Sequence, residues 1–173
     1  SSYFGLENRR VPVRDDWRAD VDAMADAIDD NTVLLVGSAP QYPQGVVDPI
    51  AELGQLALDR GIPLHVDSCI GGMVLPFIDH PSAWDFSVAG VSSISVDMHK
   101  YGYSAKGAGV ILYRTKDLRN AQVFVTDNWL GGLYGSSGIL GTKSGGPIAS
   151  AWAMITHFGI DGYRNLSHRA RST

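Results

Sequence analysis

Lys100 stands in the run Ser93-Ile94-Ser95-Val96-Asp97-Met98-His99-Lys100-Tyr101-Gly102-Tyr103, just past a short β-branched stretch and ahead of a glycine. An amine so placed is suited to forming an imine with an aldehyde. Thirty-three residues upstream, Leu64-His65-Val66-Asp67-Ser68 ends another apolar stretch in a carboxylate. Pyridoxal phosphate uses such a pair, a lysine for its aldehyde and an acid for its ring nitrogen. Two opposite charges at about 4 Å and an effective dielectric near 20 attract by roughly 4 kcal/mol, or about three pKa units, enough to keep the ring protonated. For Lys100 to shuttle protons its own pKa should fall, through burial and the neighbouring cationic ring. A loop lysine and an unrelated strand-end aspartate would give the same two strings, so the pair alone leaves both readings open.

Further residues suit the same chemistry. His99 is placed to bond a cofactor phosphate or to position the ring; a core histidine is the alternative. Lys106 follows Lys100 by six residues in Tyr101-Gly102-Tyr103-Ser104-Ala105-Lys106-Gly107, a glycine-punctuated loop suited to an anionic substrate group. The segment Gly138-Ile139-Leu140-Gly141-Thr142-Lys143-Ser144-Gly145-Gly146 resembles a P-loop only superficially, because Thr142 occupies the lysine position. Its glycines, Gly145 and Gly146 among them, run into a helix and can still offer backbone N–H groups to a phosphate. No strand is followed by a dinucleotide fingerprint. His65, His80, His157 and His168 lack metal-ligand spacing and are expected to be structural, so no metal site is predicted.

The elements that would position these residues follow from periodicity. Trp17, Val21, Met24, Ala25 and Ile28 mark one face of a helix over 17–30 that Asn31 ends. A buried strand at 32–37 leads into the Ser38 loop. Asp48-Pro49 opens a second helix as N-cap and first helical residue, closed by Gly61. Strands follow at 62–67, 92–96 and 108–113, with a Gly71-Gly72 turn between the first two. A short helix and strand lie around 116–126, and 129–146 holds seven glycines. A last helical region from Pro147 is divided by Gly159 and Gly162. Strands without alternation, interleaved with amphipathic helices, predict an α/β domain with a largely parallel sheet. Ligands of such folds bind at the carboxyl ends of strands, where Ser38, Asp67 and Lys100 all fall.

With 173 residues, 45% hydrophobic and 18% charged, the chain has one domain's length and enough apolar material for a core. A net charge of −4 without basic runs gives no case for nucleic acid or lipid surfaces. The lone cysteine, Cys69, fits a reducing, cytoplasmic setting and is expected to be a small buried hydrophobe. No stretch is long and apolar enough to span a bilayer, and no signal-peptide pattern opens the chain.

Val36-Gly37-Ser38-Ala39-Pro40, His65-Val66-Asp67-Ser68-Cys69, Asp97-Met98-His99-Lys100 and the Tyr101-Gly102-Tyr103 to Lys106-Gly107 extension resemble, in order and spacing, the group II pyridoxal-phosphate decarboxylase family. The extension resembles its carbon–carbon lyase branch in particular. The resemblance runs from Tyr3-Phe4-Gly5 through Gly162-Tyr163. It implies the aspartate-aminotransferase-type fold, with Lys100 as the Schiff-base lysine, Asp67 as the pyridinium partner and His99 beside the cofactor phosphate. It further implies that Lys106, with Tyr103, receives the phosphate of a phosphorylated long-chain amino alcohol, and that the protein works as a homodimer. Gly141-Thr142-Lys143-Ser144-Gly145-Gly146 stands where the family usually has Gly-Ser-Arg-Pro-Gly-Gly, which keeps a charge and loses the arginine fork. On this resemblance residues 1–173 are the central part of the large cofactor domain, without its upstream phosphate loop or the C-terminal small domain. An α-decarboxylase of the same family and a non-catalytic interface segment are the alternative functions.

Overall fold

The computed structural model describes residues 2–80 and 82–172. Its centre is a four-stranded sheet in the order β1-β2-β3-β4, formed by Leu35–Ser38, Leu64–Asp67, Val91–Asp97 and Gly109–Tyr113. β1, β2 and β3 run parallel, and β4 returns antiparallel to β3. The expected α/β architecture with a mostly parallel sheet is what the chain adopts.

Register partners share a face, and two unlike faces result. Leu35, Leu64, Val66, Ile94 and Val96 point into the core, where α2 (Ile50–Arg60) covers them with Ile50, Leu53 and Ala57. Ile50, Leu53, Leu64, Val66 and Val91 are completely buried, each contributing about 1.5–3 kcal/mol of hydrophobic stabilisation. The other face carries Ser38, His65, Asp67, Ser93, Ser95 and Asp97. The strands expected to be buried on both sides therefore alternate. Their polar residues lie between apolar ones because one face serves a site.

Gly61 ends α2 in the left-handed conformation, its N–H returning to the Ala57 and Leu58 carbonyls as predicted. Between β2 and β3 the chain makes 3-10 turns at Gly71–Met73 and Leu75–Phe77. Gly71 lies so close to the Ala39 carbonyl that a Cβ there would collide with backbone. This contact holds the end of β1 against the turn after β2.

Several boundaries differ from expectation. α1 spans only Val21–Ala27, because the Asp20 side chain caps it by accepting from the Ala23 N–H, and Trp17 lies outside with a φ of 67°. Asp48 does not cap α2. Its two carboxylate oxygens accept from the Ala19 and Ser38 N–H groups, both at 2.8 Å, joining the approach to α1 to the end of β1. α3 (Lys116–Asn120) is capped by Thr115. β5 (Phe124–Thr126) then pairs antiparallel with β6 (Tyr134–Ser136), a strand hidden inside the glycine-rich stretch. α4 covers Gly145–Arg171 and breaks only at Gly159 (φ 57°, ψ −170°), a conformation essentially confined to glycine, while Gly162 stays helical.

Candidate active site

The parallel strands deliver Ser38, Asp67 and Asp97 to one sheet edge, and the turn after β3 places His99 and Lys100 beside them. Asp67 folds back on its own chain, its Oδ1 accepting from the Cys69 N–H at 3.1 Å, the two-residue reach typical of a turn aspartate. The Ser95 hydroxyl donates to the same oxygen at 2.9 Å. Burial alone would push the Asp67 carboxyl up. The hydrogen bonds from Cys69 and Ser95, with His65 nearby, outweigh it and hold the group below its ordinary value. Asp67 is therefore a standing negative charge.

Lys100 Nζ lies 2.8 Å from Cys69 Sγ and 3.1 Å from Asp97 Oδ2. The thiol contact foremost raises its pKa above the ordinary lysine value; burial opposes it, and Asp97 adds to the rise. The expected fall of the Lys100 pKa is thus not seen in the protein by itself. The cationic ring that was to lower it is a property of the loaded site.

Cys69 is half-buried and not the inert core residue expected, since it touches both Asp67 and Lys100 and brings them into one site. Burial raises its thiol pKa despite the pull of the ammonium. Asp97 and Cys69 are the residues sequence reasoning passed over. Their only signals were spacing: two positions after Asp67 and three before Lys100.

His99 is fixed by an Nδ1 contact of 3.1 Å to the Ala108 carbonyl, leaving Nε2 3.7 Å from Asp97 Oδ2. Ser38 is the register partner of Asp67, and its N–H is tied to Asp48. Tyr103, at φ 58°, and Lys106 are exposed on the loop that follows Lys100. That loop meets α4 twice: the Ala105 N–H donates to Ser150 Oγ at 2.9 Å, and the Tyr163 hydroxyl donates to the Gly102 carbonyl at 2.9 Å. Pro147, beside Gly145 and Gly146 in the first turn of α4, packs near Gly107. No side chain caps this helix start, so its N–H groups point outward with their partial positive charge.

A carboxylate held ionised and a primary amine joined through one cysteine match the needs of pyridoxal phosphate. The first suits a protonated ring nitrogen and the second an aldehyde. No group of metal-ligating side chains occurs among the described residues.

The pyridoxal-dependent decarboxylase conserved domain matches residues 1–172. A sphingosine-1-phosphate lyase of Arabidopsis thaliana is 49% identical over 94% of this chain, which covers 31% of that protein. A probable L-tyrosine/L-aspartate decarboxylase of Methanothrix thermoacetophila is 42% identical over 96% of the chain and is covered to 43%. The solved sphingosine-1-phosphate lyase of Burkholderia pseudomallei superposes with a TM-score of 0.92 at 42% identity, over 96% of this chain and 39% of its own. The chain thus spans about a third of the length of the curated lyases it matches, 31% in the Arabidopsis case. With the family's domain matching residues 1–172 and the lysine and aspartate at the carboxyl ends of parallel strands, the chain belongs to the pyridoxal-dependent decarboxylase family.

Proposed function

We propose that this chain is the cofactor-holding part of a pyridoxal-phosphate-dependent lyase. Its substrate is a phosphorylated long-chain amino alcohol of the sphingosine-1-phosphate type, cleaved to a fatty aldehyde and phosphoethanolamine. The observation that carries the reading is the meeting of Asp67 and Lys100 on Cys69, at the edge where parallel strands end. Relatives named as lyases reach 47–49% identity, against 42% for the probable decarboxylase, which favours the lyase over an α-decarboxylase.

Bound pyridoxal phosphate supplies an electron sink for the bond broken next to the amine-bearing carbon. Asp67, already ionised, holds the proton on the ring nitrogen. Lys100 would hold the cofactor through Nζ and would serve to move protons once freed from it, with Asp97 keeping the ammonium in reach. His99 and Ser38 line the ring and phosphate side, and Gly145 and Gly146 offer backbone N–H groups to the cofactor phosphate. Lys106 and Tyr103 receive the substrate phosphate and so align the bond to be broken. We assign the protein to a homodimer in a reducing, cytoplasmic setting. The apolar stripe of Ile148, Trp152 and Ile155 exposed along α4 supports the dimer. No helix among the described residues is long and apolar enough to cross a membrane.

Borohydride reduction of the loaded holoenzyme, followed by peptide mapping, is expected to leave the pyridoxyl group on Lys100. A label on Lys106 or Lys143 would overturn the assignment. Release of fatty aldehyde without carbon dioxide separates the lyase from the decarboxylase.

A further inference from the structure

Opposite Asp67 and one position further back in the sheet lies a set of polar groups that the lyase reading does not use. Strand register places Ser93 beside His65 and Ser95 beside Asp67, so the four side chains form a square on the polar face. His65 Nδ1 is 2.8 Å from Ser93 Oγ, and His65 Nε2 is 3.3 Å from Ser95 Oγ. Ser95 spends its only hydroxyl proton on Asp67 Oδ1. Towards His65 it can therefore only accept, and Nε2 must carry the ring proton. In a neutral imidazole Nδ1 is then an acceptor, and it takes the Ser93 hydroxyl proton. Every bond runs one way, Ser93 to His65 to Ser95 to Asp67, and no buried polar side-chain atom is left without a partner among the described residues. Burial keeps His65 on the neutral side, against the opposing pull of the Asp67 charge. One-directional chains polarise each member in turn and strengthen the last bond.

We propose that His65 is a positioning residue for the cofactor: acting through Ser95, it orients the Asp67 carboxylate and holds it charged against the pyridine nitrogen, with Ser93 fixing the imidazole tautomer. The proposal rests on the reading of Asp67 as the partner of that nitrogen. It gives a purpose to a histidine that lies within the sheet, belongs to no metal-ligand group among the described residues and hydrogen-bonds to two serines.

The test uses holoenzyme loaded with pyridoxal phosphate labelled with ¹⁵N in the ring, and reads two quantities besides activity. These are the nitrogen chemical shift, which reports ring protonation, and the cofactor dissociation constant. His65→Leu and Ser95→Ala are both expected to move the shift towards the unprotonated ring. Both are also expected to weaken cofactor retention by about 2- to 10-fold, the size of one hydrogen bond. His65→Gln, which can donate to Ser95 and accept from Ser93, is expected to restore both. Ser95→Ala changes little volume and keeps the test open if His65→Leu does not fold. An unchanged nitrogen shift in Ser95→Ala, alongside a clear change in Asp67→Asn, would overturn the proposal while leaving the role of Asp67 intact. Equal losses in His65→Gln and His65→Leu would assign the effect to packing and also overturn it. If Asp67→Asn itself leaves the shift unmoved, the underlying reading of Asp67 fails.

Discussion

The stretch from β1 to β3 and the stretch from β4 to α4 are built differently. In the first, α2 closes over the sheet and buries Ile50, Leu53, Ala57, Leu64, Val66 and Val91. In the second, the strands β4, β5 and β6 are largely exposed, and Trp129, Leu130, Leu133, Ile139 and Leu140 extend outward between and beyond β5 and β6. Asp67 and its hydrogen-bond donors belong to the first region, while Gly145 and Gly146 belong to the second. Lys100 and Lys106 lie on the loop between them. The contrast teaches that, on the proposed reading, electronic control of the cofactor would come from the packed region. Recognition of anionic groups would then fall to the open surfaces.

The sharpest way to break this division is Asp67→Asn. The amide keeps the shape and loses the charge, so turnover is expected to fall by about a thousandfold, the equivalent of three pKa units at the ring. Near-normal turnover in the holoenzyme would remove electronic control from the packed region. Next in size is a pair of stability measurements. Leu53→Ala, in the closed core, is expected to lower the unfolding free energy by about 2–5 kcal/mol. Leu133→Ala, in the open region, is expected to change it by less than about 0.5 kcal/mol. Comparable losses in chemical denaturation would show that the second region is packed after all.

Lys106→Ala tests recognition. A charged hydrogen bond is worth roughly 1.5–3 kcal/mol, so kcat/KM for a phosphorylated substrate should fall about 10- to 150-fold. An unphosphorylated analogue should lose little, and equal losses on both would give the lysine a structural role. The smallest effect is expected at the boundary of the two regions. Attack on the cofactor aldehyde needs neutral Lys100, whose pKa is raised chiefly by Cys69. The rate of cofactor uptake should therefore rise with pH through a midpoint above the ordinary lysine value. Cys69→Ala should move that midpoint to lower pH, and a midpoint that stays in place would deny the thiol any hold on the amine.

Legibility in the sequence followed the same division. Apolar runs at 62–67 and 92–96 marked strands, and the carboxylate and amine at their ends marked the site, because both signals are local. Gly61 was readable for the same reason. What escaped was tertiary. Asp48 looks like a helix cap, but its oxygens reach N–H groups from two other elements, and no local pattern encodes those partners. His65 has no ligand-like spacing, because its partners arrive from the neighbouring strand. Cys69 passed for a core residue, since hydrophobicity says nothing of an ammonium delivered by a turn 31 positions away. β6 was hidden because glycines mask a strand whose pairing with β5 supplies what its side chains do not.

The break at Gly159 makes one helix act as two arms. Before the break, Ser150 grips the loop at Ala105; after it, Tyr163 grips the same loop at Gly102 while stacking on Phe77. The loop between Lys100 and Lys106 is thus held like a string between two fingers of one hand. The angle at a single glycine sets how far apart those fingers stand, and on the proposed reading would tune how the two amines are presented to a substrate.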